Sequence, residues 1–164
     1  RKKTRTSGCA VGTVFGDMME TLQGIELASS TLHTSWLYTL SAKINRTPSL
    51  YLSAGAIHGT VLCHQDRPLV YMEDVGRHNA VDKVIGSAFL ADRYPLTDHL
   101  LVVSGRVSYE IVAKALRACV AGIVAVSGPT TLAVDLARAH GLVLLGFTRD
   151  DRLNVYAGGD CVAS

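Results

Sequence analysis

The sequence predicts an α/β protein: a three-layer α/β/α sandwich with a mixed sheet, in which a β-hairpin is followed by three parallel strands. Three observations carry this. The runs "HLLVVSG" (99–105), "GIVAVSG" (122–128) and "LVLLGF" (142–147) are continuously apolar, as expected for strands buried on both faces. Helical periodicity fills the intervals between them. Val-Ser-Gly ends a strand twice, at 103–105 and 126–128, each time before a helix. Repeated β-α units with the same punctuation imply parallel neighbours joined by right-handed crossovers, with helices on both faces.

The elements follow in order. "RKKTRTSGCAVGTVFG" (1–16) is polar, basic and glycine-rich and reads as a mobile loop. Residues 30–45, "STLHTSWLYTLSAKIN", read as a helix that Ser29 or Ser30 can cap, with Pro48 closing the region. "HGTVLCH" and "PLVYMEDV" are short β-rich runs around "QDR", a hairpin pattern. In "EDVGRHNAVDKVIG" (73–86) and the residues just after it, Ala80, Val81, Val84, Ile85, Ala88 and Phe89 mark one helix face. Arg77 and His78 fall on or beside that face. "VSYEIVAKALRAC" has helical periodicity through Val112, Ala115, Leu116 and Cys119, and "TTLAVDLARAH" is a helix with a threonine start and Gly141 as its stop. The last strand leads into "TRDDRLNVYA". The domain division is 1–29 as loop and linker, 30–157 as the α/β/α domain and 158–164 as a tail.

Composition narrows the function classes. The 164 residues are 48% hydrophobic, enough for one full core. A net charge of +2 does not call for a nucleic-acid partner. No run approaches the roughly 18 apolar residues of a membrane span, and there is no signal-peptide pattern. The chain opens at Arg1 without a methionine, which suggests a preceding segment. Cysteines stand at 9, 63, 119 and 161, without C-x-x-C or zinc-finger spacing. So few, so far apart, fit a reducing compartment. Cys63 and Cys119 read as buried small hydrophobes and Cys161 as incidental.

In such a sheet, ligands bind outside the carboxyl ends of the strands. "EDVGRHN", "SGRVSYE", "SGPTT" and "FTRDDR" all arrive there. Helix N-termini offer N–H groups and a positive dipole end to anions. Gly76, Gly105 and Gly128 allow close backbone approach, and Arg77, Arg106, Arg149 and Arg152 add planar cationic donors. A phosphate-bearing ligand suits this crevice. A simpler reading ties Arg77 and His78 to Glu73, Asp74 or Asp82 as a structural network. The hairpin-first order resembles the cytidine deaminase architecture, but that chemistry needs H-x-E and P-C-x-x-C to hold zinc. Gly59 and Thr60 follow His58 and no C-x-x-C is present, so no zinc site is expected.

"EDVGRHNAVDKVIG", "SGRVSYEIVAKALRA", "SGPTTLAVDLARAHGL" and "GFTRDDRLNVYA" together resemble the formate dehydrogenase accessory sulfurtransferase family (FdhD/NarQ), from about Ser7 to Ala157. The resemblance implies a cytidine-deaminase-like fold without its zinc. It implies a cytoplasmic sulfurtransferase that takes sulfur from a cysteine desulfurase and carries it as a cysteine persulfide. The sulfur then goes to the molybdenum cofactor of formate dehydrogenase, in its bis-molybdopterin guanine dinucleotide form. Cys9 is the implied carrier. Phe147, Thr148, Arg149, Asp150, Asp151 and Arg152 match the cofactor-contacting stretch, to which the crevice reading adds Gly76, Arg77, His78, Ser104, Gly105, Arg106, Ser127, Gly128 and Thr130. A homodimer is also implied, as is an N-terminal region that this chain lacks. Many members carry C-x-x-C where this chain has Cys9 and Gly12, and their "SAPT" and "TGG-x-H" appear here as "SGPT" and "SAGAIH" (53–58). Without the second cysteine, relay within one loop is in question. The basic residues Lys2, Lys3 and Arg5 can still favour a thiolate at Cys9. The competing reading is a chaperone that holds the cofactor without a covalent sulfur step. A weaker third is a nucleotide-processing enzyme on a deaminase-like fold.

Overall fold

The computed structural model describes residues 21–27, 30–46, 57–149 and 152–164. Strand β1 (Leu32–His33) leads into helix α1 (Thr34–Arg46). The hairpin is β2 (His58–His64) and β3 (Arg67–Asp74), followed by α2 (Arg77–Leu90) and β4 (His99–Val103). Then come α3 (Tyr109–Arg117), β5 (Gly122–Ala125), α4 (Thr131–Ala139), β6 (Val143–Arg149) and β7 (Arg152–Ala157). A short 3-10 turn (Gly159–Cys161) and β8 (Val162–Ala163) close the chain.

The main sheet has the order β3-β2-β4-β5-β6-β7. The hairpin strand β2 lies antiparallel to β4, and β4, β5 and β6 are mutually parallel neighbours. The expected hairpin and three parallel strands are therefore present. A sixth strand, β7, adds antiparallel to β6. Its sequence "RLNVYA" is half polar because it is an edge strand with one side in solvent.

Side-chain alternation across the pleat divides the core in two. Leu62, Leu101, Val103, Ile123, Ala125 and Leu144 point to the face covered by α2, α3 and α4. Val61, Cys63, Leu100, Val102, Val124 and Leu145 point to the face covered by α1 through Leu37 and Leu40. Both faces are dry, which is why the central strands carry no polar alternation. Truncating a residue such as Leu101 to alanine costs about 2–5 kcal/mol in a site of this kind.

Several local expectations are corrected. Helix α1 starts at Thr34, and the Ser30 hydroxyl donates instead to the Thr97 carbonyl at 3.3 Å. Ser29 and Pro48 lie outside the described residues. On α2, Ala80, Val81, Val84 and Ala88 are buried and Ile85 partly so, but Phe89 is 62% exposed. Phe89 stands in the last turn of α2 and meets Tyr94 edge to face. Cys119 is only half-buried, at φ +56, where the chain turns out of α3. Residues 21–27, inside the expected linker, pack on the helical face, where Leu22 is buried and His140 donates to the Ile25 carbonyl at 2.8 Å. The tail folds back too: Leu32 pairs with Val162 and His33 with Ala163.

Gly86 sits inside α2, and beyond its chain neighbours and its own helix backbone nothing lies within 4 Å of the position its Cβ would take. A helix-interior glycine costs roughly 0.5–1 kcal/mol relative to alanine. Gly86→Ala should therefore raise stability by about that amount, read as a higher urea midpoint at unchanged slope.

Candidate functional site

The carboxyl ends of β4, β5 and β6 open on one edge of the sheet. Antiparallel β2 brings its first residues to the same edge, where Thr60 is opposite Val103. The strand-end loops are sewn together by backbone and side-chain bonds. Ser104 N–H donates to the Gly59 carbonyl and Gly59 N–H to Ser104 Oγ, both at 3.0 Å. Val107 N–H donates to Gly128 at 3.3 Å, and Thr130 N–H donates to Val107 at 2.9 Å. Phe147 N–H donates to the Ser127 carbonyl at 3.3 Å. The two Val-Ser-Gly repeats thus form one continuous rim.

All three crevice glycines are covered by the protein itself, Gly76 by Asn79, whose Nδ2 would lie 3.1 Å from a Cβ there. A Cβ on Gly105 would lie 3.0 Å from His58 Nδ1 and 3.5 Å from Arg77 Cβ. A Cβ on Gly128 would lie 2.6 Å from Phe147 Cζ. Phe147 has φ +51, a conformation that costs a bulky residue about 1–2 kcal/mol. The bond to Ser127 and the ring's seat on Gly128 hold it there, half-exposed. Gly76 is the N-cap of α2 and donates its N–H to Asp74 Oδ1 at 2.8 Å.

The inner corner of the site lies between the N-termini of α2 and α3. His78 Nε2 is 2.9 Å from Ser108 Oγ and 3.9 Å from Glu110 Oε2. Burial, and next the Arg77 guanidinium, hold His78 below its ordinary value against the pull of Glu110. Burial pushes Glu110 upward. Its own backbone N–H, the Ser108 hydroxyl and the charges of His78 and Arg77 outweigh that, leaving the carboxyl below its ordinary value. Arg77 is half-buried, and its Nε is enclosed without a hydrogen-bond partner among the described residues. Of the expected carboxylates, Asp82 acts on His78 through its charge. Asp74 binds Gly76, Asn79 and Lys83 rather than Arg77 or His78.

The remaining candidates divide by exposure. Arg106 and Arg152 are exposed at the rim. Thr130 caps α4, its Oγ1 accepting from Ala133 N–H at 3.3 Å. Thr148 is buried with Oγ1 unpartnered among the described residues, beside a cavity of about 20 Å³ also lined by Leu37, Leu40 and Ser41. Cys9, Asp150 and Asp151 lie outside the described residues, as does the side chain of Arg149. Three participants escaped the sequence reading: His58, seen only as a failed zinc pattern, and Ser108 and Glu110. Ser108 precedes a helix, where a serine is expected to cap, and that ordinary role hid it. Among the described residues no three His, Cys, Asp or Glu side chains gather as a metal-binding group, and no helix is long and apolar enough to cross a membrane.

The FdhD/NarQ family model matches residues 1–163. The chain belongs to the FdhD/NarQ family. A sulfur carrier protein FdhD from Corynebacterium efficiens is 39% identical over 160 residues, 96% of this chain and 58% of that protein. Its counterpart from Nocardia farcinica is 46% identical over 129 residues, 78% of this chain and 46% of that protein. A crystal structure of a protein assigned as a formate dehydrogenase accessory protein from Desulfotalea psychrophila superposes with a TM-score of 0.79 at 30% identity. It covers 88% of this chain and 62% of its own. The chain thus spans about half the length of the FdhD relatives it matches.

Asp74 anchors the start of α2. Bonds from Lys83, then Gly76 and Asn79, lower its carboxyl from 3.8 to about 2. A carboxyl lowered on folding stabilises the fold above its unfolded value and loses that contribution as pH falls through the folded one. Stability of the wild type should therefore drop between pH 3.8 and about 2. Asp74→Asn should show a flatter dependence over the same interval, measured as urea midpoint against pH.

Proposed function

We propose that the chain is a sulfur carrier: it receives sulfur from a cysteine desulfurase as a persulfide on Cys9 and passes it to a molybdenum cofactor for formate dehydrogenase maturation. The observation that carries this reading is the family match along nearly the whole chain, with relatives named sulfur carrier protein FdhD. The cysteine inventory supports it. Cys63 is sealed in the core, and burial pushes its thiol up to about 12, which denies it a thiolate near neutral pH. Cys119 follows the C-terminus of α3, at the end of the helix remote from the crevice. Cys161 packs against the α1-side core. Cys9 follows Gly8 and, a few positions earlier in the sequence, Lys2, Lys3 and Arg5, whose charges would favour a thiolate there.

The cargo in this reading is the bis-molybdopterin guanine dinucleotide form of the cofactor, acting as substrate. Its phosphates would meet exposed Arg106 and Arg152 at the rim, with the Phe147 ring beside them as an apolar platform. The setting is cytoplasmic, and the functional unit is a homodimer. The competing reading, a chaperone that holds the cofactor without covalent sulfur, draws support from Gly12, which leaves Cys9 without a second local thiol.

Cys9→Ala should abolish formate dehydrogenase maturation in a complementation assay while leaving the fold intact by circular dichroism. Wild-type maturation by that variant would favour the chaperone. Cofactor binding is read separately with GDP as the probe. Arg106→Ala should weaken GDP binding by about one to two orders of magnitude at constant salt, since a charge-assisted bond contributes roughly 1.5–3 kcal/mol. Equal affinity in wild type and variant would remove Arg106 from the site.

A further inference from the structure

We propose that Thr148 and Ser41 hold one ordered water molecule between α1 and the carboxyl ends of β4, β5 and β6, on the far side of the sheet from the other three long helices. Thr148 belongs to the stretch that the resemblance assigns to cofactor contact. Its side chain nevertheless lies on the α1 face, among α1 residues.

Plain alternation along β6 would put it on the opposite face. Val143 and Leu145 pack on the α1 side, and Leu144 packs on the side of α2, α3 and α4. Continued by twos, that pattern sends Thr148 with Leu144. A β-bulge intervenes. From the pair Gly146 and Asn154 to the pair Arg149 and Arg152, the chain advances three positions on β6 and two on β7. The extra residue falls at Phe147 and Thr148, and Phe147 takes up the kink with φ +51. Thr148 is thereby turned to the α1 side, where it lines the small cavity with Leu37, Leu40 and Ser41 of α1 and Val102 and Val124 of the sheet.

Thr148 is only 6% exposed, and its Oγ1 is sealed without a hydrogen-bond partner among the described residues. A hydroxyl there is disfavoured against a methyl of the same shape unless something bonds it, because it leaves water without gaining a bond. Ser41 is the other lining side chain that can bond. On the same helix the Thr39 hydroxyl is engaged, donating to the Ser35 carbonyl at 2.8 Å, a common resort of a hydroxyl in mid-helix. Ser41 makes no such bond among the described residues. Two hydroxyls, each able to donate and to accept, therefore border one space. That space measures about 20 Å³. A single water needs roughly 10–15 Å³ and about two to four polar partners. A larger ligand does not fit, and a lining without charge does not suit an ion.

The water links α1 to the bulge of β6. The other residue of that bulge, Phe147, lays its ring on Gly128 at the rim. One bridge thus supports, from behind, the backbone that presents Phe147 to the crevice.

A crystal structure of the chain at a resolution that shows ordered solvent reads the site directly. One water should lie about 2.5–3.0 Å from both Thr148 Oγ1 and Ser41 Oγ. Thr148→Val removes one hydroxyl at nearly constant shape, and Ser41→Ala removes the other. Each should lose the water with α1 in place, whereas Thr148→Ser should keep it. In solution, nuclear Overhauser transfer from water to the methyl groups of Leu37, Leu40 and Val102 should carry the sign of a long-lived bound water in the wild type and vanish in Thr148→Val. A dry space in the wild type, a Thr148 hydroxyl turned to a protein carbonyl, or a water that survives in both Thr148→Val and Ser41→Ala would overturn the proposal. Neither measurement depends on sulfur carriage or on cofactor binding.

Discussion

The hydrogen-bonded rim beyond the strand ends is the feature on which the rest of the site depends. Beyond Val103 and Ala125 the chain leaves the sheet, and its backbone groups need new partners. They find them in each other: Ser104 with Gly59, Val107 with Gly128 and Thr130, Ser127 with Phe147. Each bond contributes only about 0.5–1.5 kcal/mol, but an enclosed donor left without one costs more. The ladder therefore continues past the last strand residue and fixes where α3 and α4 begin. Glycine is needed at 105 and 128 because side chains from elsewhere in the chain, His58 with Arg77 and Phe147, occupy the space a Cβ would take.

A rigid rim makes the placement of α2 meaningful. Asp74 ties the end of β3 to the first turn of α2 through Gly76, Asn79 and Lys83. That fixes Arg77 and His78 against the start of α3. Ser108 gives up its helix-capping role and turns to His78, while Thr130, at the equivalent position on α4, keeps it. Arg106 and Arg152 are exposed on the same edge, while the His78 ring is half-buried against Ser108.

Much of the fold was legible from the chain. Continuous apolar runs such as "HLLVV" have one physical explanation at that length, a strand covered on both sides, and the repeated Val-Ser-Gly marked where strands give way to helices. Strand β7 was not legible, because an edge strand with one wet side does not stand out from a polar loop. Phe89 was misplaced because it stands in the last turn of α2, where a residue can keep the helical period and still reach solvent. At the site, the crevice and its arginines could be read from topology. The partners of His78 could not, since Ser108 and Glu110 are 30 and 32 positions away in the sequence and become neighbours only when α2 and α3 start side by side. The expected pairing with Asp74 failed because that carboxylate is taken by the Gly76 backbone, Asn79 and Lys83.

Sulfur carriage on Cys9 is tested most directly by intact mass and peptide mapping of the chain after incubation with a cysteine desulfurase and cysteine. The expected result is a gain of one sulfur atom, mapped to the peptide that contains Cys9 and removed by reductant. No added sulfur, or sulfur found on Cys119 or Cys161 instead, would contradict the account.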